Sequence, residues 1–315
     1  MKASAIFAFL QVGTAVFAFA PVLWERPSKL SQVERLGAGS GSDGAGGGGS
    51  EAQNDPDTLK TQLLGDIANL NRLQDEDGKI SVDFGVKGGE LDKKSRAPRK
   101  LDFYTVSDRV GKAADVVFRT VEELSKVNPT VAATAGFGDP NATDRPLEGT
   151  WRLLFSTAAD ASFSRDSKRG DAKAMNIVDT GRERMTNIIK FAPKDDGKPK
   201  AVEELRVKLV ARAEGPNRVD LVFKYVAVKC TKLFFFPLRW TLYIPVPGPT
   251  IGKFVIRLSN LKNRMLRRKK ELRKLPKAFF DVLYLDKDLR VHKTGEDNYF
   301  IQARPEWKSA WETSA

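Results

Sequence analysis

His292 is the only histidine of the chain, and it sits in the stretch DLRVHKTGEDNYF, from Asp288 to Phe300. An imidazole within a few positions of Asp288, Arg290, Glu296 and Asp297 is raw material for acid-base chemistry. If DLRVHK is a strand, Asp288, Arg290 and His292 share one face while Leu289 and Val291 share the other. A carboxylate two residues from a guanidinium on one face most simply forms an ion pair or orders a cross-strand neighbour. Catalysis would also need a serine, cysteine or second carboxylate brought to the imidazole, and no nucleophile elbow, phosphate loop or metal motif suggests one. The trio is therefore expected to be structural, with an enzyme that uses Asp288 and His292 as the alternative. KTGEDN reads as the hairpin loop that follows, with Gly295 free to take a positive φ.

The elements that must hold this stretch are mostly strands. In WRLLFST, period two puts Trp151, Leu153 and Phe155 on one face, and EELRVKLVAR alternates Leu205, Val207, Leu209 and Ala211 with charged residues. NRVDLVFKYVAVKC, FPLRWTLYIPVP, DVLYLDKDLRVHK and DNYFIQARP add further strands, separated by turn residues. At least six strands, each with one dry and one wet face, predict an antiparallel sheet curled into a barrel. Trp151, Phe155, Phe223, Tyr225, Trp240 and Tyr243 are its candidate interior aromatics and hence candidate contacts for a greasy ligand. Two helices precede it. Leu59, Leu63, Ile67 and Leu70 form one apolar stripe with Asp57 as a plausible cap, and Val110, Ala114, Val117, Val121 and Leu124 form another that starts at Ser107 and stops before Pro129.

Composition narrows the chemistry. One cysteine and one histidine are too few for a structural zinc site, and no intramolecular disulfide is possible. Cys230, in an apolar run, is expected as a small buried hydrophobe. The chain carries a formal net charge of +13, and from Pro146 to Arg304 it has 34 Lys and Arg against 18 Asp and Glu. LKNRMLRRKKELRKLPK, Leu261 to Lys277, reads as an inserted helix with an apolar side and a cationic one. That pattern suits an anionic membrane surface, with Arg267, Arg268, Lys269 and Lys270 as the candidate contacts, or a merely solvated face. A basic RNA-binding module is a further alternative, but the run lacks interleaved aromatics for base stacking.

The N-terminus reads as targeting sequence. Residues 1–18 have the apolar character of a signal peptide ending at a small residue, Ala18. Residues 19–56 then combine a basic stretch with a glycine- and serine-rich linker. Phe19-Ala20-Pro21 at the cut resembles the bipartite presequence of algae with complex, red-derived plastids.

LEGTWRLLFST from Leu147, NIIKF from Asn187 and YLDKDLRVHKTGEDNYFIQ together resemble the plastid-lipid-associated protein family, also called fibrillins. LKTQLLGDIANLNRL and VNPT resemble that family's N-terminal part. The resemblance implies a lipocalin-like barrel over 146–305, preceded by a helical part over 57–130. It implies Asp288, Arg290 and Gly295 as the family's terminal motif. It also implies a non-enzymatic protein, without cofactor, that coats plastid lipid bodies (plastoglobules) or lies on thylakoids and takes part in lipid and prenylquinone metabolism. Its partners would be a fatty acid, prenylquinone or carotenoid and an anionic membrane or lipid-droplet surface, with no nucleic acid expected. Two features differ from the family pattern: the polar RDSKRGDAKAM after LLFST, and the basic segment.

Overall fold

The computed structural model describes residues 55–78, 101–158, 172–193, 201–232, 236, 238–246 and 278–312. Residues 1–54 of the segment read as targeting sequence and the basic segment 261–277 lie outside them, whereas Asp55 and Pro56 already belong to the first helix as its cap and first residue. Helix α1 spans Pro56–Asp77. Its cap is Asp55 rather than Asp57, because Pro56 fits the first helical position and the Asp55 carboxylate accepts from the Thr58 N–H at 3.0 Å. Helix α2 spans Asp108–Lys126 and is capped by Ser107, as its spacing predicts. Asn128 and Thr130 of the VNPT turn then pin the chain to Leu285: Asn128 Oδ1 accepts from the Leu285 N–H at 2.9 Å, and the Thr130 hydroxyl donates to the Leu285 carbonyl at 2.5 Å.

Nine strands follow: β1 (Gly149–Ser156), β2 (Ala172–Asp179), β3 (Arg184–Phe191), β4 (Val202–Ala213), β5 (Arg218–Cys230), β6 (Trp240–Pro245), β7 (Ala278–Leu285), β8 (Leu289–Thr294) and β9 (Tyr299–Ala303). All described pairings are antiparallel. The order β4-β3-β2-β1-β9-β8-β7-β5 returns to β4 through a β4–β5 pairing, so the strands close a ring and β6 branches from β5. A short helix, α3 (Ser309–Glu312), ends the described chain.

The ring separates two cores. Inside it lie Trp151, Met185, Ile189, Leu205, Val207, Val228, Phe280 and their neighbours. Outside, the apolar stripes of α1 and α2 cover Phe155, Tyr284, Leu289, Val291 and Ile301 of β1, β7, β8 and β9. Leu63, Leu70, Val117 and Leu124 are fully buried there. Each such side chain taken from water contributes roughly 1.5–3 kcal/mol. Phe103 stacks on Phe155 with centroids 5.9 Å apart, and Phe118 stacks on Tyr299 at 5.6 Å.

Four register shifts break the ladders, one of them at Glu203 in β4, and the other three overrule the simple period of two where it assigns faces. In β1 the register shifts between Leu153 and Phe155, so Trp151 faces the inside while Phe155 lies under the helices, not on one face as the alternation predicts. In β5 Lys208 pairs with Tyr225 and Leu209 with Phe223. The unpaired Lys224 turns Phe223 inward and leaves Tyr225 outward. In β7 the shift between Val282 and Tyr284 sends Val282 inside and Tyr284 to the helix side. Each extra residue inverts the parity of everything beyond it.

Two glycines have distinct reasons. Gly149 adopts φ +103°, and a Cβ there would stand 2.6 Å from Arg304 Nη1. Gly295 does not take the positive φ expected of it. Asp297 does, at φ 61°, while a Cβ on Gly295 would come within 2.7 Å of the Phe279 ring. Gly149→Ala combines left-handed backbone with a clash, and we expect it to lower unfolding free energy by about 1–3 kcal/mol. Urea titration checks this: the midpoint falls with the slope unchanged, and an unaltered midpoint refutes it.

Candidate functional site

Strand β8 alternates as its sequence predicts. Leu289 and Val291 join the core under the helices, while Arg290 and His292 enter the ring. Asp288 does not accompany them. It precedes the strand and turns toward α1, where its carboxylate lies 3.4 Å from Lys60 Nζ. The expected Asp288–Arg290 ion pair is therefore replaced by two separate arrangements.

The first ties α1 to the β7–β8 turn. Lys60 Nζ, with its side chain 5% exposed, reaches Asp57 at 2.7 Å and Asp286 at 2.8 Å. Asp286 Oδ1 accepts from the backbone N–H groups of Asp288 and Leu289 at 2.8 and 2.7 Å, and its Oδ2 accepts from the Tyr284 hydroxyl at 2.8 Å. Burial works against the Lys60 ammonium, yet hydrogen bonds to Asp286 and Asp57 outweigh it and hold its pKa above the usual lysine value. Burial likewise opposes the Asp286 carboxylate, but Lys60 and the turn amides keep it below the ordinary range. This buried cluster sets the turn from which β8 begins.

The second lies inside the ring. Arg290 is 0% exposed, and no carboxylate contacts it among the described residues. Its Nε donates to Gln302 Oε1 at 2.9 Å; its Nη2 donates to the same oxygen and to Asn176 Oδ1 at 2.6 Å. Asn176 in turn donates to Asn187 Oδ1 at 2.7 Å, carrying the polar chain on to β3. The Arg290 guanidinium lies 5.1 Å from the Trp151 ring centroid and 5.9 Å from that of Phe280. Arg304 lies over the same indole at 3.7 Å, and the indole N–H donates to the Leu147 carbonyl at 3.0 Å. Such contacts with desolvated cations are worth about 2 kcal/mol each. Arg290 Nη1 is buried without a partner. Burial and the nearby Arg304 charge lower its pKa to about 9, which leaves it charged at neutral pH.

His292 is held between rings. Phe300 stacks on it at 5.1 Å with an interplanar angle of 1°, and Phe280 lies at 4.6 Å. Burial, reinforced by the Arg290 charge, pushes its pKa well below the usual histidine value, so the ring is neutral. Its Nδ1 is buried without a hydrogen-bond partner. Among the described residues, no nucleophile or carboxylate meets the imidazole in an acid-base arrangement.

The six candidate aromatics are not gathered in one place. Trp151 belongs to the inner core, with Phe223 and Trp240 partly buried against it. Phe155 belongs to the helix-covered core. Tyr225 and Tyr243 pair edge to face at 5.8 Å on the outer surface of β5 and β6, with Tyr243 65% exposed. The inner wall beside Phe223 and Trp240 is completed by Leu221, Leu242 and Ile244, all inward and only partly buried. Cys230 is buried, as expected, and burial raises its thiol pKa. Arg267, Arg268, Lys269 and Lys270 lie outside the described residues.

Sequence reasoning missed Lys60, Asn176, Gln302 and Arg304. The parity of YFIQARP would have found two of them, since Phe300, Gln302 and Arg304 share one strand face. Lys60 adjoins Leu59 and precedes Leu63 and Leu64, so it flanks the buried stripe of α1.

With one histidine in the chain, its linkage can be isolated. A depressed folded pKa means that the stability contribution of His292 is complete above the unfolded value near 6.5 and is lost as pH falls below it. Between pH 7.5 and 5.5 we expect a loss of about 1.4 kcal/mol, because the unfolded chain alone gains the proton. His292→Phe should abolish that loss. Urea denaturation at both pH values reads it, and an equal decline in wild type and variant would contradict the assignment.

A PAP_fibrillin family model matches residues 106–303. No curated protein and no solved structure matches the chain. The matched region begins just before α2 and ends in β9, taking in all nine strands, Trp151 and the Arg290–His292 patch. Spanning more than half of the 315 residues, it shows that the chain belongs to the plastid-lipid-associated protein (PAP/fibrillin) family.

Proposed function

We propose that this is a non-enzymatic, lipid-associated plastid protein whose ring is a lipocalin-like barrel that accepts an acyl or isoprenoid chain. The observation that carries the reading is the inner wall of β5 and β6. Leu221, Phe223, Trp240, Leu242 and Ile244 face inward yet remain partly exposed. Apolar side chains inside a closed sheet either fill the space completely or leave room for a ligand, and partial exposure there favours the second. Family membership supports an association with lipid. The neutral, ring-stacked His292 gives no support to an acid-base role with Asp288, which faces Lys60 instead.

In this reading Phe223 and Trp240 touch the bound chain, while Tyr225 and Tyr243 meet lipid from outside, where an aromatic with a polar tip suits a membrane interface. Trp151 and Phe155 support the wall from their two cores. The basic segment 261–277 docks the protein on an anionic plastoglobule or thylakoid surface, and residues 1–56 bring it into the plastid as a bipartite presequence with Phe19 at its second step.

Titration of the full chain with decylplastoquinone should quench tryptophan fluorescence saturably, and Trp240→Phe should remove most of the change. A flat wild-type titration would count against a lipid-accepting interior. For docking, each basic residue near an anionic surface contributes about 1 kcal/mol, so Arg267, Arg268, Lys269 and Lys270 together supply roughly 4 kcal/mol. The chain should sediment with liposomes rich in phosphatidylglycerol and sulfolipid at low salt, and replacing these four residues by glutamate should release it. Equal sedimentation of both would make the segment a solvated face only.

A further inference from the structure

The interior patch on β8 has the chemistry of an anion receptor. A fully buried guanidinium without a carboxylate partner is costly, and among the described residues its charge is met by two neutral amide oxygens and two aromatic faces alone. Nε and Nη2 are committed to Gln302 and Asn176. Nη1, with two N–H groups, is not committed. His292, two residues along on the same face, adds a second buried nitrogen, Nδ1, with no partner, and a neutral imidazole can present it as an N–H donor. Phe280 touches both the guanidinium and the imidazole, so the two unsatisfied groups flank one ring. Although Arg290 itself is sealed, its partner Asn176 and the ring stacked on His292, Phe300, are both only partly buried.

The geometry points to an internal binding site for a single carboxylate, the head of a single-chain acyl amphiphile, with Arg290 Nη1 and His292 Nδ1 as its donors. The site rests on the reading that the ring takes a lipid chain, and it adds a polarity to it. The headgroup lies against β8 and β9, and the tail runs to the apolar wall of Phe223, Trp240, Leu242 and Ile244. A monoanion fits better than a phosphate because one guanidinium supplies one charge. The second interior cation, Arg304, is already engaged with the Trp151 face and with the carbonyls of Thr150 and Pro146.

Equilibrium dialysis of the full chain against oleate, oleyl alcohol and oleyl phosphate separates the cases. We expect oleate to bind about tenfold or more tighter than oleyl alcohol, the increment of a charge-assisted hydrogen bond. Arg290→Met should bring oleate down to the alcohol's affinity and leave the alcohol within about twofold of wild type. The same change ends the desolvation cost of the guanidinium but leaves the Gln302 carbonyl oxygen without its donor, so the variant's thermal midpoint is measured beside its binding. The comparison of acid with alcohol on the wild type stands whatever that variant does. Equal binding of acid and alcohol, or tighter binding of the phosphate, overturns the carboxylate site while leaving a lipid-accepting ring intact. Binding of none of the three overturns both.

Discussion

Trp151, with two guanidinium groups packed on its indole, is the interaction on which the arrangement of the ring turns. The indole is wholly buried, so its N–H needs an acceptor, and the Leu147 carbonyl provides one. Two guanidinium groups pack on its ring, Arg304 just after β9 at 3.7 Å and Arg290 of β8 at 5.1 Å. Through Arg290 the constraint passes to Gln302 on β9 and to Asn176 on β2, and from there to Asn187 on β3. One continuous chain of contacts thus touches five neighbouring strands. The LEGTW stretch follows from the same constraint: Leu147 must offer its carbonyl, and Gly149 must lack a Cβ because Arg304 passes there. The cost of a buried unpaired cation is several kcal/mol, and two ring faces with three charged hydrogen bonds offset it at the same order.

The helices were legible because their buried stripes obey one period along their whole length; every position that spacing assigns to the dry face of α2 is buried. The strands were legible as strands, but not as faces. Leu154, Lys224 and Leu283 are extra residues in their ladders, and alternation continues undisturbed on either side of each. A period-two reading therefore runs straight through a bulge and assigns the wrong side beyond it. That is why Phe155 and Tyr225 were grouped with Trp151 and Phe223. The β2 strand, AKAMNIVD, and most of β3 carried too little contrast between dry and wet faces to be picked out. The site was half legible: the alternation of β8 gave Arg290 and His292, whereas the partners came from elsewhere in the chain. Lys60 captured Asp288 across more than two hundred residues, which no local pattern encodes.

The bulges also explain how one sheet serves two purposes. In β1 and β7 they move Phe155 and Tyr284 out of the ring and into the layer beneath α1 and α2, where both are buried. The helix-covered side gains aromatic bulk. The interior loses that bulk. It keeps aliphatic and aromatic side chains on β4, β5 and β6 that are not all sealed, and polar ones on β2, β8 and β9. A sheet without these shifts would place the same residues on one face and fill its own centre.

An interior that is apolar along one arc and cationic along another is not a general oil drop. Its apolar arc is indifferent to the chain it meets, since contacts there scale with area and not with chemical identity. The polar arc discriminates, because a buried donor left unpaired penalises any occupant that cannot accept from it. Selectivity in such a ring would therefore reside in Arg290 and His292 and not in the aromatics that attract attention in the sequence. The Lys60 cluster bears on this from the other side of the sheet. By absorbing Asp286 and Asp288 it holds both carboxylates of the β7–β8 turn on the helix face and away from the guanidinium two residues on, and so keeps Arg290 without a counter-ion.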